Sequence, residues 1–188
     1  GQFTARAGSL LGAWIMGAAL FAGLRRWHHP PVAMLALTIL ATSPFFFVAA
    51  QYANHDMLVA GLITAAILAL ARAVDEPPGV RLGWLLAGAL ACAMATLAKG
   101  LIGGVLPALV IGPWLLAQGR WRQVIGLLHP LALLVFAVVS LPWFVAIFWR
   151  AGDAFFANSV GGDMLSKLGA QESHGAPPRW TTRDPPDG

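Results

Sequence analysis

The chain has 188 residues, 58% of them hydrophobic and only 11% charged. A soluble domain averages roughly 45–50% apolar and about 25% charged, which excludes a water-soluble globule and a disordered chain. The net charge of +4 comes from Lys and Arg scattered as singles and pairs between apolar blocks. There is no basic run or stripe of the kind a nucleic-acid partner needs.

No formally charged residue occurs from Trp27 to His55, Met57 to Ala71, Leu82 to Ala98, Gly100 to Gly119 or Gln123 to Trp149. A bilayer core of about 30 Å takes about 20 mostly apolar residues as a helix. In chain order the blocks read as transmembrane spans at about 9–24, 31–50, 57–73, 82–98, 101–118 and 124–148. The fold class is therefore all-α: a polytopic membrane helix bundle, with a transmembrane core over 1–150. The first and third spans are short for a crossing. In the first, Ala13 and Gly17 are four apart; in the fourth, so are Ala87, Ala91 and Ala95, with Gly88 and Cys92 beside them. Such spacing lets helix backbones approach closely in lipid, although Ala and Gly are also simply common there. Cys92 is the single cysteine, so neither an internal disulfide nor a Cys-rich metal site is available. His129-Pro130, early in the sixth span, predicts a kink. His28-His29 reads as solvated loop.

Alternate loops carry Arg25-Arg26, then Arg72 and Arg81, then Arg120 and Arg122; the opposite short loops, around His55-Asp56 and Ala98-Gly100, carry only Lys99. The positive-inside rule puts the arginine loops in the cytoplasm. The N-terminus and the segment from Arg150 to Gly188 then lie outside. A chain beginning Gly1-Gln2-Phe3-Thr4, with no initiator Met and no basic leader, is expected to follow at least one upstream span.

The unusual polar residues collect on the outer side. The first outer loop reads Gln51-Tyr52-Ala53-Asn54-His55-Asp56-Met57, and Lys99-Gly100 forms a tight turn between two spans. An ionisable residue at membrane depth is a functional candidate by default. Asp56 could equally be a helix N-cap or interface anchor, Lys99 could snorkel to the headgroups, and His55 needs no role in a polar loop. Further along lie Asp153, Asn158, Asp163, Lys167, Glu172 and His174. Glu172-x-His174 offers two ligands where a closed metal site wants about four, which leaves a divalent metal open. Segment 151–178 reads as an outer-face amphipathic region, an interfacial helix broken near Gly161-Gly162. The remainder, 179–188, reads as a disordered tail.

Four of these stretches occur in a familiar order: Gln51-Tyr52-Ala53-Asn54-His55-Asp56-Met57, Leu97-Ala98-Lys99-Gly100, Leu141-Pro142-Trp143-Phe144 and Ser173-His174-Gly175-Ala176-Pro177-Pro178. Together they resemble bacterial glycosyltransferase family 39 proteins, relatives of protein O-mannosyltransferases and lipid A aminoarabinose transferases. The resemblance runs from about Gly8 to Pro178. It implies a GT-C membrane enzyme of the inner membrane that takes a sugar from a polyprenyl-phosphate carrier. The acceptor, a lipid, glycan or protein, is met at the periplasmic face. It further implies that Asp56 is an acidic residue of the catalytic cavity. Lys99 matches the lysine of the Thr-Lys-Gly-type turn, with Ala98 in place of Thr. His174 matches a loop histidine closing over the carrier phosphate, with His55 and Glu172 beside the substrate. The family's principal catalytic aspartate lies in an outer loop before the first span. The resemblance is thus to a membrane core truncated at both ends. Two other functions stay open: a non-catalytic lipid-binding or assembly subunit, and a transporter, which would place its polar groups near mid-membrane.

Overall fold

The structure, a computed structural model, describes residues 2–51 and 55–151. The chain divides into two units, Gly1–Trp143 and Phe144–Gly188. Of the second, only the end of one helix, 144–151, is described. The interfacial segment and tail expected beyond 151 lie outside the described residues.

Every regular element among the described residues is a helix: α1 (Gln2–Trp27), α2 (Pro30–Thr42), α3 (Pro44–Gln51), α4 (Asp56–Asp75), α5 (Pro78–Lys99), α6 (Ile102–Ala117), α7 (Trp121–Leu127) and α8 (Pro130–Ala151). Four of them start on a proline. Its missing N–H is one the first helical turn leaves unpaired anyway, and its fixed φ suits a helix start. Glycines of positive φ follow two helices: Gly100 (φ 80°) after α5 and Gly119 (φ 71°) after α6.

The helices carry the six apolar blocks of the sequence, but two blocks are not single rods. Ala7–Trp27, Asp56–Asp75, Pro78–Lys99 and Pro130–Ile147 are long and apolar enough to cross a membrane. The block read as 31–50 is a pair, α2 and α3, bent by 66°. Ser43 between them is extended (φ −66°, ψ 121°), the backbone region to which a residue before proline is driven. The block read as 124–148 divides likewise. α7 ends at Leu127 and the crossing helix begins at Pro130, so that proline opens a helix rather than kinking one. His129 caps it, its Nδ1 accepting the Leu131 N–H at 3.3 Å. Ile102–Ala117 is a shorter apolar helix.

The distribution of side chains is that of a bundle in lipid. Buried positions are mostly small, including Ala33, Ala66, Ala73, Ala93 and Ala95, while Trp14 (77%) and Phe45 (85%) are exposed. A soluble helical core has the reverse arrangement, with large apolar residues inside. In lipid, small residues at the interfaces let backbones meet. At the α1–α4 crossing a methyl on Gly61 would overlap the Gly12 carbonyl, and one on Gly12 would overlap the Met57 and Leu58 backbone. At the α5–α6 crossing a methyl on Gly103 would overlap the backbone of Ala95 and Thr96. Gly17, which the spacing argument singled out, faces α2 instead, where a methyl would reach Leu37 at 3.3 Å.

At one end of the bundle the arginine loops are tied to two acids at the end of α4. Arg26 and Arg72 each pair with Glu76 Oε1 at 3.3 Å. Arg120 Nη2 pairs with Asp75 Oδ1 at 3.0 Å, and Trp27 Nε1 donates to Asp75 Oδ2 at 3.3 Å. The Arg72 guanidinium also lies 4.2 Å from the centre of the Trp84 ring. Glu76, with a side chain only 12% exposed, is the joint of this network. Glu76→Gln is expected to cost about 1–2 kcal/mol, because it removes two charge-assisted bonds, one of them to a half-exposed arginine. The midpoint of thermal unfolding in detergent, compared at low and high salt, measures the loss.

Candidate active site

The opposite end of the bundle is built by helix termini. α4 begins at Asp56, so its carboxylate sits in the first helical turn, where the helix dipole favours negative charge. α5 ends at Lys99, where the dipole favours a cation. The chain turns at once through Gly100, whose N–H donates to the Thr96 carbonyl at 2.7 Å. Because α4 and α5 are antiparallel neighbours, the start of one meets the end of the other. There Lys99 Nζ forms an ion pair with Asp56 Oδ1.

The two side chains are 51% and 53% exposed. An ion pair that open to solvent contributes about 0–1 kcal/mol, so stability alone gives little reason for a carboxylate and an ammonium to share this end of an apolar bundle. Asp56 occupies the first helical position rather than the cap. The cap residue is His55, which makes no side-chain cap bond and is exposed. One turn below Lys99, Thr96 is 2% exposed, and its hydroxyl finds no partner among the described residues. It sits beside α6 and α8, since a methyl on Gly104 would meet both Thr96 Oγ1 (3.4 Å) and the Phe136 ring (3.3 Å). Nothing in the sequence flagged Thr96; the available signal was a lone hydroxyl one helical turn before a lysine in an apolar run.

An apolar cleft of about 400 Å³ lies between α5, α6 and α8, lined by Leu101, Gly104, Val105, Cys92 and Phe136 among others. Its walls continue to Val124 and Leu127 on α7. The site thus holds two opposite charges, both reachable from water, and Leu101, two residues after Lys99, is a wall of the cleft. A phosphate bound there would meet the ammonium, a hydroxyl would meet the carboxylate, and an apolar chain would find a bed.

The structure brings Asp56 and Lys99 together and puts His55 next to them in the chain. Glu172 and His174 lie outside the described residues. Among the described residues no three His, Cys, Asp or Glu side chains converge on a point where a metal could sit.

Residues 1–149 match the dolichyl-phosphate-mannose-protein mannosyltransferase family. An undecaprenyl phosphate-α-4-amino-4-deoxy-L-arabinose arabinosyl transferase of Pseudomonas paraeruginosa (strain DSM 24068 / PA7) is 40% identical over 135 residues, covering 69% of this chain and 24% of that protein. A protein of the same name from Enterobacter sp. (strain 638) is 27% identical over 180 residues, covering 95% and 31%. Among solved structures, ArnT from Cupriavidus metallidurans bound to undecaprenyl phosphate superposes with a TM-score of 0.76 at 26% identity, covering 88% of this chain and 31% of that one. Its apo form gives a TM-score of 0.70 at 28% identity. The chain therefore spans between a quarter and a third of the length of these relatives.

Proposed function

Because the chain belongs to the dolichyl-phosphate-mannose-protein mannosyltransferase family, we propose that it forms part of the membrane core of a glycosyltransferase. That enzyme moves a sugar from a polyprenyl-phosphate carrier to an acceptor. The observation that carries this reading is the Asp56–Lys99 ion pair at one end of an apolar helix bundle, with an apolar cleft that Leu101, two residues after the lysine, helps to line. The donor is of the undecaprenyl-phosphate type, as in the name of the ArnT complex. A lipid is the favoured acceptor, ahead of a glycan or protein, because it too would approach from the bilayer. The arginine network faces the cytoplasm by the positive-inside rule. The site then opens on the periplasmic face of the inner membrane.

The reaction breaks the bond between the anomeric carbon and the carrier phosphate oxygen. The electron pair leaves with the phosphate, and the acceptor oxygen bonds the sugar and gives up a proton. Lys99 offsets the negative charge on the departing phosphate. A cation held beside the developing charge stabilises the transition state. Asp56 takes the acceptor proton as a general base. In the resting state it holds the ammonium in an ion pair. The polyprenyl chain lies along the cleft walls. His55, next to Asp56 in the chain, contacts the substrate, and Glu172 and His174 are the other substrate-binding candidates.

The test is transfer from a radiolabelled undecaprenyl-phosphate sugar by the full-length protein in proteoliposomes, offered a lipid or a peptide acceptor. Lys99→Gln is expected to cut kcat/KM for the donor by about 10²-fold. Donor binding without any transfer would favour a lipid-binding subunit instead. Full transfer by Lys99→Gln would remove the lysine from the site.

A further inference from the structure

Phe21, near the arginine end of α1, belongs to two cavities at once. One, of about 350 Å³, is lined by Phe21, Ala22, Arg25, Arg26 and Arg72. The other, of about 640 Å³, is an apolar groove in which α1, from Phe21 through Trp14 to Leu10, faces Met34 and Leu37 of α2 and Phe46 of α3. The first cavity has an excess of positive charge. Glu76 is the carboxylate that Arg26 and Arg72 share. Arg25 has no carboxylate partner among the described residues, and its guanidinium lies 5.4 Å from the centre of the Phe21 ring.

We propose that the two cavities are one binding site for an anionic phospholipid. The headgroup phosphate occupies the arginine cavity and one acyl chain lies in the groove between α1, α2 and α3. Basic pockets between transmembrane helices are suited to anionic headgroups, and here the pocket shares the wall residue Phe21 with an apolar trough. Phe21 to Leu10 covers about 16 Å at a helical rise of 1.5 Å per residue. That is a length one extended acyl chain can fill, about half of a 30 Å hydrocarbon core. A free phosphate ion would use the arginines and leave the groove unfilled. The arginine cavity lies at the end of α1 away from Asp56 and Lys99, so the headgroup site stands whether or not their proposed chemistry does.

Native mass spectrometry of the full-length protein, released from a neutral detergent, tests this. The probes are phosphatidylglycerol with two 16-carbon chains, phosphatidylcholine with the same chains, and inorganic phosphate. Phosphatidylglycerol is expected to be retained over phosphatidylcholine and not displaced by millimolar phosphate. Arg25→Gln is expected to lower its retention about fivefold, the effect of one arginine at an anionic headgroup. Arg25 is exposed and leaves no acid unpaired, so the variant should fold, and Arg25→Lys should recover part of the loss. Ala13→Phe, which fills the groove, should lower phosphatidylglycerol retention with the arginines intact. Equal retention of both lipids, or no effect of Arg25→Gln, overturns the proposal. Displacement by inorganic phosphate makes this a soluble-anion site and overturns it too, as does unchanged retention in Ala13→Phe.

Discussion

Asp56→Asn in the full-length protein is expected to lower sugar transfer by about 10²–10⁴-fold, the usual contribution of a positioned general base. The substitution keeps the size of the side chain and an oxygen that can still accept a hydrogen bond from Lys99. It removes only the charge and the basicity. The pair it alters is half exposed on both sides and contributes about 0–1 kcal/mol to folding, so the unfolding midpoint should move little. Initial rates with labelled donor, beside a thermal unfolding curve, separate the two effects. The Asp56→Asn, Lys99→Gln double variant decides how the aspartate acts. If it only orients the ammonium, the double variant transfers no more slowly than Lys99→Gln alone. If it takes a proton, the two losses compound. Transfer within tenfold of the parent in Asp56→Asn would remove the carboxylate from the chemistry altogether.

Gly61→Leu is expected to abolish assembly of the bundle. The glycine's missing side chain is the space occupied by the Gly12 carbonyl of α1. The obstacle is backbone, and no rotamer change relieves it. Inserting extra methylenes into a packed core typically costs about 1–3 kcal/mol. A leucine here must drive two helices apart along their crossing, so the cost should exceed that range. Even Gly61→Ala should show a measurable loss. Gly83→Leu is the control, because a side chain there meets nothing within 4 Å. Size-exclusion profile and resistance to limited proteolysis in mild detergent give the readout. A Gly61→Leu protein as monodisperse and as resistant as Gly83→Leu would mean that the α1–α4 crossing does not hold the bundle.

Much of the architecture was legible from the spacing of charges. A charge inside a bilayer is costly, so the uncharged runs must be the buried ones, and the structure places helices on all of them. The family likewise followed from four short stretches in order. The break at Ser43 was not seen, and the one at His129-Pro130 was read as a kink within one helix. Hydropathy responds to side chains, whereas Ser43 and His129 leave the helix for a backbone reason, the proline that follows each of them. The sequence placed Asp56 and Lys99 on one side of the membrane, each at the end of a span. It did not pair them, since they are 43 residues apart. The acids Asp75 and Glu76 entered the sequence reading with no role at all.

Length, apolar spacing and the arginine loops thus determined a membrane bundle, and short motifs determined its family. Both depend on composition along the chain, to which the bilayer responds one segment at a time. Tertiary structure alone decided which helices touch: that Gly12 meets Gly61 rather than Gly17 meeting a partner backbone, that Thr96 is buried beside Gly104, and that Lys99 reaches Asp56. In lipid, every apolar face is equally content with solvent, so hydrophobicity cannot choose neighbours. That choice falls to close packing of small residues and to a few ionic contacts at the helix ends, which depend on crossing angle and rotation.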